Sequence, residues 1–386
     1  MYKPQNKDEL KELVKNETIS LSDIDTTLIT DMSRLFENTN RSDYDGINSW
    51  DTANVKDMSY MFVGCKEFNC ELSFNTENVV NMSGMFSGCE SFNSKLHFNT
   101  SNVTNMFEMF NLCKSFNETL DFDTKNVVNM AKMFYKCKTF NKPVNFNTAK
   151  VANMNAMFSG CVNFNQILDF DTNNVLNMNN MFSDCIAFNQ KINFNSSCVQ
   201  YLRSMFSGCI NFNSVVKINT RNVLDMSYMF GNCSNFNQEL DFDTSAVNTM
   251  EYMFSDCKNY NQPLNFDTKN VVNMSGMFSG CSSFNQKLDF NTQNVLDMSY
   301  MFNECSSFNQ MLDFDTSKVK DMNYMFCGCQ NFNQMLYFDT KNITSILTMF
   351  YGCDSLKQEF RFDLSSCKIP LISFNPNVKI IDISKE

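Results

Sequence analysis

Hydrophobic residues recur along this chain with a period far longer than that of a helix or a strand. The dipeptide Met-Phe begins at residues 61, 85, 109, 133, 157, 181, 205, 229, 253, 277, 301, 325 and 349, thirteen copies at an unbroken interval of 24. A fixed interval of this size marks a repeat architecture, in which each unit buries its apolar face against the next. Aligned on Met-Phe, residues 74 to 97 give the unit Phe74-Asn-Thr-Glu-Asn-Val-Val-Asn-Met-Ser-Gly-Met-Phe-Ser-Gly-Cys-Glu-Ser-Phe-Asn-Ser-Lys-Leu-His97, and thirteen such units run from Trp50 to Arg361. A divergent 26-residue unit, 24–49, precedes them, with Ile24, Thr26, Ile29, Met32, Leu35 and Phe36 in the places of Phe74, Thr76, Val79, Met82, Met85 and Phe86.

Inside each unit the apolar residues follow two shorter periods. Val79, Met82 and Phe86 fall at i, i+3 and i+7, with Met85 beside them, which predicts one face of a short helix. The place of Thr76 is Thr or Ser in all thirteen units, as expected of a hydroxyl capping free amides at a helix start. Leu96 and Phe98 alternate with polar neighbours, the period of a strand with one buried face. The fold predicted is an α/β repeat solenoid of the leucine-rich-repeat type, with one short parallel strand and one short helix per 24-residue coil. About fourteen coils at roughly 4.8 Å each make a rod of roughly 65 Å, with a continuous parallel sheet and Phe and Met columns as its core.

The ends differ from the array. Leu10, Leu13 and Val14 sit at helical spacing in Lys7 to Lys15, which predicts a capping helix within an N-terminal cap, 1–23. The solenoid spans 24–361. Beyond it the pattern decays through Phe362, Ile369 and Pro370 into Val378-Lys-Ile-Ile-Asp-Ile383, a closing strand within a C-terminal cap, 362–386. No linker or charge block interrupts the array, so the chain reads as one domain and is expected to be a monomer.

Composition narrows the function. The formal charge of -11 and the pI near 4.7 leave no surface for neutralising phosphates, so nucleic acid is excluded as a partner and an anionic membrane is disfavoured. The first residues lack an apolar run of signal-peptide length, and no run approaches the roughly 20 apolar residues of a membrane span. No transmembrane segment is expected, and without a signal peptide a cytoplasmic location stays open.

Thirteen of the 17 cysteines form a column from Cys65 to Cys353, each three residues after the Phe of Met-Phe. A metal site needs three or four ligands converging on one point, whereas a column sets them in a line with only His97 to help. Neighbouring thiols fall within disulfide range, but thirteen cannot all pair, and a ladder of reduced thiols packed as small hydrophobes is expected. Cys70, Cys198, Cys327 and Cys367 lie off the column with no assigned role. Asn69, Asn93, Asn117 and their successors to Asn333 occupy one place in twelve successive units, which fits a side chain that satisfies backbone groups of neighbouring coils.

Only outward positions that vary between units can encode a partner. Beside the inward Phe these include Asp121, Asp123, Asp169, Asp171, Asp241, Asp243, Asp313 and Asp315, an acidic stripe broken by Lys217 and Tyr337. Such a stripe suits a basic partner or a weak calcium face, and equally a solvated surface that keeps the protein soluble. With one histidine, no Gly-rich phosphate loop and no HExxH, no catalytic residue and no cofactor is expected.

Trp50-Asp-Thr-Ala-Asn-Val-Lys-Asp-Met-Ser-Tyr-Met-Phe62, continued by Cys65, Phe68, Asn69 and Leu72, resembles the repeat of the BspA-like bacterial surface proteins, and the match runs over residues 23 to 361. The resemblance implies a leucine-rich-repeat solenoid and adhesion or binding at a cell surface, with a protein or cell-surface macromolecule as partner. A structural spacer or coat element, or a cytoplasmic interaction scaffold, is the alternative. This chain departs from the exported members in lacking a signal peptide.

Overall fold

The apolar stretch that the spacing assigns to a helix is wound differently. In the computed structural model the backbone takes a left-handed conformation at Tyr60 and Gly64, again at Gly84 and Gly88, and again at Glu108 and Leu112. A helix cannot pass through such residues. Instead alternate N–H groups leave the coil: those of Met82, Gly84, Phe86 and Gly88 donate to the carbonyls of Asn105, Phe107, Met109 and Asn111 in the next coil, at 3.1, 2.7, 3.0 and 2.7 Å. The N–H groups between them, of Met85, Ser87 and Cys89, close tight turns on Met82, Gly84 and Phe86. An eight-residue helix would leave most of its backbone groups without partners, since each terminus leaves four unsatisfied. Chained turns that hand every second bond to a neighbour leave far fewer. Among the described residues, which are 1–39, 41–368 and 378–386, the α-helix is α1, Lys7–Lys15.

The expected capping hydroxyl has another partner. Thr76 Oγ1 donates to the Asn99 carbonyl of the next coil at 3.0 Å, and Thr100 to that of Asp123 at 3.0 Å. It ties coil to coil rather than starting a helix.

The expected strand stretch is extended, and its side chains alternate as predicted: Leu96, Phe98 and Thr100 are buried while His97 and Asn99 are exposed. Regular pairing there is sparse. β1 (Ile192–Phe194) and β2 (Val216–Ile218) are the short strands recorded in the repeats, and elsewhere a single bridge such as Leu72 with Leu96 stands alone. The persistent parallel row lies in the turn stretch instead, through Asp57, Asn81, Asn105, Asn129 and Asn153, and through Asp225, Thr249, Asn273, Asp297 and Asp321.

The chain divides into two compact units, Met1–Gln190 with Phe194–Ser196, and Lys191–Asn193 with Ser197–Glu386. The same coil builds both. In the first, Phe86 stacks on Phe92 of its own coil at 4.3 Å and on Phe110 of the next at 5.7 Å. In the second, Phe254 does the same with Tyr260 at 4.4 Å and Phe278 at 5.7 Å. These rings and the Val, Met and Cys columns are almost wholly buried, and each ring contributes about 2 to 3 kcal/mol by leaving water.

At the start, α1 buries Leu10 and Val14. The buried Arg41 joins it to the first coil, donating to the carbonyls of Val14, Ile19 and Asp43. The Trp50 indole donates to the Leu21 carbonyl at 2.8 Å. At the far end β3 (Glu359–Phe362) pairs in parallel with β4 (Lys379–Asp382), where the sequence places a closing strand. Ile369 and Pro370 lie outside the described residues.

Two substitutions probe this core. Phe278→Ala should lower stability by about 3 to 5 kcal/mol through the cavity it opens, read as a fall in urea midpoint. The Tyr260 hydroxyl is buried without a protein partner, a position that costs on the order of 1 to 3 kcal/mol. Tyr260→Phe should therefore raise the midpoint.

Candidate functional site

The ten candidate residues fall into two columns with different work. Asp169, Lys217, Asp241, Asp313 and Tyr337 project outward between two buried side chains of their own coil, as Asp241 does between Leu240 and Phe242, and Asp121 projects outward between the half-buried Leu120 and the buried Phe122. Asp123, Asp171, Asp243 and Asp315 are exposed as well, but each is engaged. Their Oδ1 atoms accept the N–H groups of Lys125, Asn173, Ser245 and Ser317, at 3.2, 3.1, 3.0 and 3.0 Å. This is the turn in which an Asx side chain stands in for backbone. Asn75 and Asn99 do the same in other coils, which explains why Asp and Asn interchange there: the turn needs an acceptor, and both supply one. Half of the acidic stripe is thus local structure.

Titration follows from these bonds. Hydrogen bonds from the Lys125 side chain and backbone hold Asp123 below the usual carboxylate range. The Ser245 hydroxyl and amide do so for Asp243, and those of Ser317 for Asp315.

Sequence reasoning missed the column two residues before the outward Asp. It carries Ile167, Val215 and Met311, at 74%, 38% and 62% exposure, while Tyr337 is 83% exposed. The available signal was their variability among otherwise fixed neighbours. In the second unit Val215, Lys217, Glu239, Asp241, Pro263 and Asn265 border an open depression of about 760 Å³. It offers apolar contact beside charges of both signs.

The other columns are internal. Cys89 donates its thiol to the Phe62 carbonyl at 3.1 Å and Cys233 to that of Phe206 at 2.9 Å. Burial pushes the Cys65 thiol up to about 11 and that of Cys353 to about 12. No three metal-binding side chains converge among the described residues. The Asn column joins coil to coil: Asn69 Oδ1 accepts the Asn93 N–H at 2.8 Å, and Asn237 Oδ1 accepts the Asn261 N–H at 2.9 Å together with the Gln262 amide at 3.1 Å. A further Asn reaches back, as Asn78 does to the Ala53 carbonyl at 2.9 Å. Among the described residues no helix is long and apolar enough to cross a membrane.

Residues 8–121, 72–169, 118–216, 144–241, 202–312 and 288–369 match the model of a family described as Mycoplasma protein of unknown function, DUF285. No curated protein matches the chain in sequence. Among solved structures it is similar to a leucine rich cell surface protein from Faecalibacterium prausnitzii A2-165, at 14% identity and a TM-score of 0.40, over 76% of this chain and 73% of that one. The plant peptide hormone receptor RGFR1 in complex with RGF2 follows at 9% identity and 0.27, over 87% and 60%. The TLR13–ssRNA13 complex stands at 11% and 0.28, over 94% and 52%. Similarities this distant bear no weight on function.

The two acidic columns can be told apart by substitution. Replacing Asp123, Asp243 and Asp315 by Asn should leave the urea midpoint at neutral pH unchanged, and replacing them by Ala should lower it. Because their folded affinities for protons are depressed, the stability they contribute is complete above the ordinary carboxylate value near 4 and is lost as pH falls through the folded values. The Asn variant should therefore be less sensitive to acid than the natural chain between about pH 5 and 2.

Proposed function

The chain belongs to the DUF285 family, and from that premise we propose that it is a non-catalytic binding protein that presents an extended repeat surface to another protein or a cell-surface macromolecule. The observation that carries this reading is the contrast between columns. The Val, Met, Phe and Cys positions are nearly invariant and buried, whereas the outward place that is Asp121, Asp169, Lys217, Asp241, Asp313 and Tyr337 changes from coil to coil and is exposed. A surface that varies on a fixed frame is the arrangement by which repeat proteins recognise partners. Fold alone does not choose the partner. The net charge of -11 disfavours nucleic acid, and no step of this reading calls for a metal or cofactor. The resemblance to BspA-like proteins favours adhesion at a bacterial surface, and the chain is read as a monomer.

A second reading, a spacer or coat element, draws on the uniformity of the array, since length is then what the coils supply. The two diverge in one experiment, the retention of the purified chain on intact cells, scored by flow cytometry. Lys217→Glu, Asp241→Lys and Tyr337→Ala together should reduce retention at least fivefold without moving the melting temperature. Unchanged retention, combined with sensitivity to deletion of one whole coil, would replace the binding reading with the spacer.

A further inference from the structure

The second unit carries a row of tyrosines on its turn stretch, away from the outward Asp column. Tyr228, Tyr252, Tyr300 and Tyr324 occupy the left-handed position of their coils, and Gly276 holds that place between the two pairs. The rings of Tyr228 and Tyr252 stack at 5.1 Å and 13°, those of Tyr300 and Tyr324 at 4.7 Å and 10°. All four are half-buried, so part of each ring meets solvent.

At the near end of the row the chain supplies its own ligand. The Arg203 guanidinium lies 5.1 Å from the centre of the Tyr228 ring and 3.9 Å from the carboxylates of both Asp225 and Glu251. The first unit has a comparable clamp, in which Arg34 lies 4.5 Å from the Tyr60 ring centre and pairs with Glu37. A planar cation over an aromatic face beside a carboxylate is favoured by the ring's charge distribution and by the fork of donors, and Arg satisfies both better than Lys.

Further along, the tyrosine and the first carboxylate recur without the arginine, with Asn323 where the clamp of Tyr228 has Glu251. Asp297 and Asp321 take the place of Asp225, three residues before Tyr300 and Tyr324, and bridge each other as neighbours in the parallel row. Their Oδ1 atoms accept the N–H groups of Ser299 and Asn323 at 2.8 Å each, and Asp321 Oδ2 takes the Asn323 side-chain amide at 3.1 Å. Among the described residues no lysine or arginine pairs with either, Lys320 included. Burial, then the Asp297 charge, raises the proton affinity of Asp321, as expected of a carboxylate lacking a cation. Leu296, 41% exposed, stands beside Asp297, where an aliphatic stem would rest.

We propose that Tyr300, Tyr324, Asp297 and Asp321 form a docking site for an arginine side chain of a partner protein, held as Arg203 is held against Tyr228. The site rests on the binding reading above and gives that partner a chemistry.

The test is calorimetric titration of the full chain at low ionic strength with two hexapeptides, (Gly-Arg)3 and (Gly-Lys)3. The arginine peptide should bind at least tenfold more tightly. Asp297→Asn with Asp321→Asn should reduce its affinity tenfold without changing the melting temperature, because Asn273 holds the same place in the row. Tyr300→Leu should weaken binding similarly, and Tyr300→Phe should retain it. Asp8→Asn with Glu77→Gln, exposed carboxylates outside both faces, should bind as the natural chain does. Equal affinity for the two peptides, or full binding by the Asp297 and Asp321 double variant, would overturn the site. Retention on cells through the face around Asp241, measured on the same preparations, decides the broader reading separately.

Discussion

Every 24-residue coil of this protein must find partners for its backbone N–H and C=O groups without a helix and with hardly any sheet, and the rest of the structure depends on how it does so. A buried backbone group without a partner costs about as much as a lost hydrogen bond. In the turn stretch, left-handed residues at every fourth position send alternate N–H groups to the neighbouring coil. Elsewhere side chains take over, through Thr76 to the next coil, Asn78 to the one before, and Asn69 to the Asn93 N–H. Stacked Phe rings supply the apolar burial, but the polar bonds fix the register in which the rings stack.

The sequence is legible to different depths in different columns. Phe86 and Cys89 recur without exception, Met82 and Val79 give way only to Leu202, Ile346 and Ile343, and all face inward, so periodicity alone placed the core. The ends were also readable, since Leu10 and Val14 mark α1 and Val378 to Ile383 contains β4. The helix within each coil was misread because apolar spacing at i, i+3 and i+7 suits a chain of tight turns as well as a helix. The discriminating signal was the glycines: two share the column of Tyr60 and seven the column of Gly64, four residues apart, with Asn38, Asn232, Asp184 and Asp256 at the latter. Those residue types favour left-handed backbone.

The candidate face was half legible. Exposure of Asp121 and Asp241 followed from strand alternation. That Asp123 and Asp243 hold turns did not, although their exchange with Asn from coil to coil pointed that way, because a side chain selected for charge would not tolerate the amide. Ile167 and Met311 escaped notice because an isolated apolar residue among polar neighbours looks like noise until its exposure is known. The tyrosine row escaped for the opposite reason: Tyr300 and Tyr324 lie inside an apolar stretch, where an aromatic residue stands out least.

The thiol column has a consequence for where such a protein can live. Each sulfur of the column is shielded from solvent, and thiols such as Cys89 donate to a carbonyl, here that of Phe62, whereas thiolate is the form that attacks oxidants and disulfides. A column of thiols kept in the inert protonated state holds the same shape in a reducing cytosol and in oxidising surroundings; Cys70, Cys198, Cys327 and Cys367, only half-buried, stand outside it. The count of column cysteines, which in small secreted domains would report the compartment, is silent here.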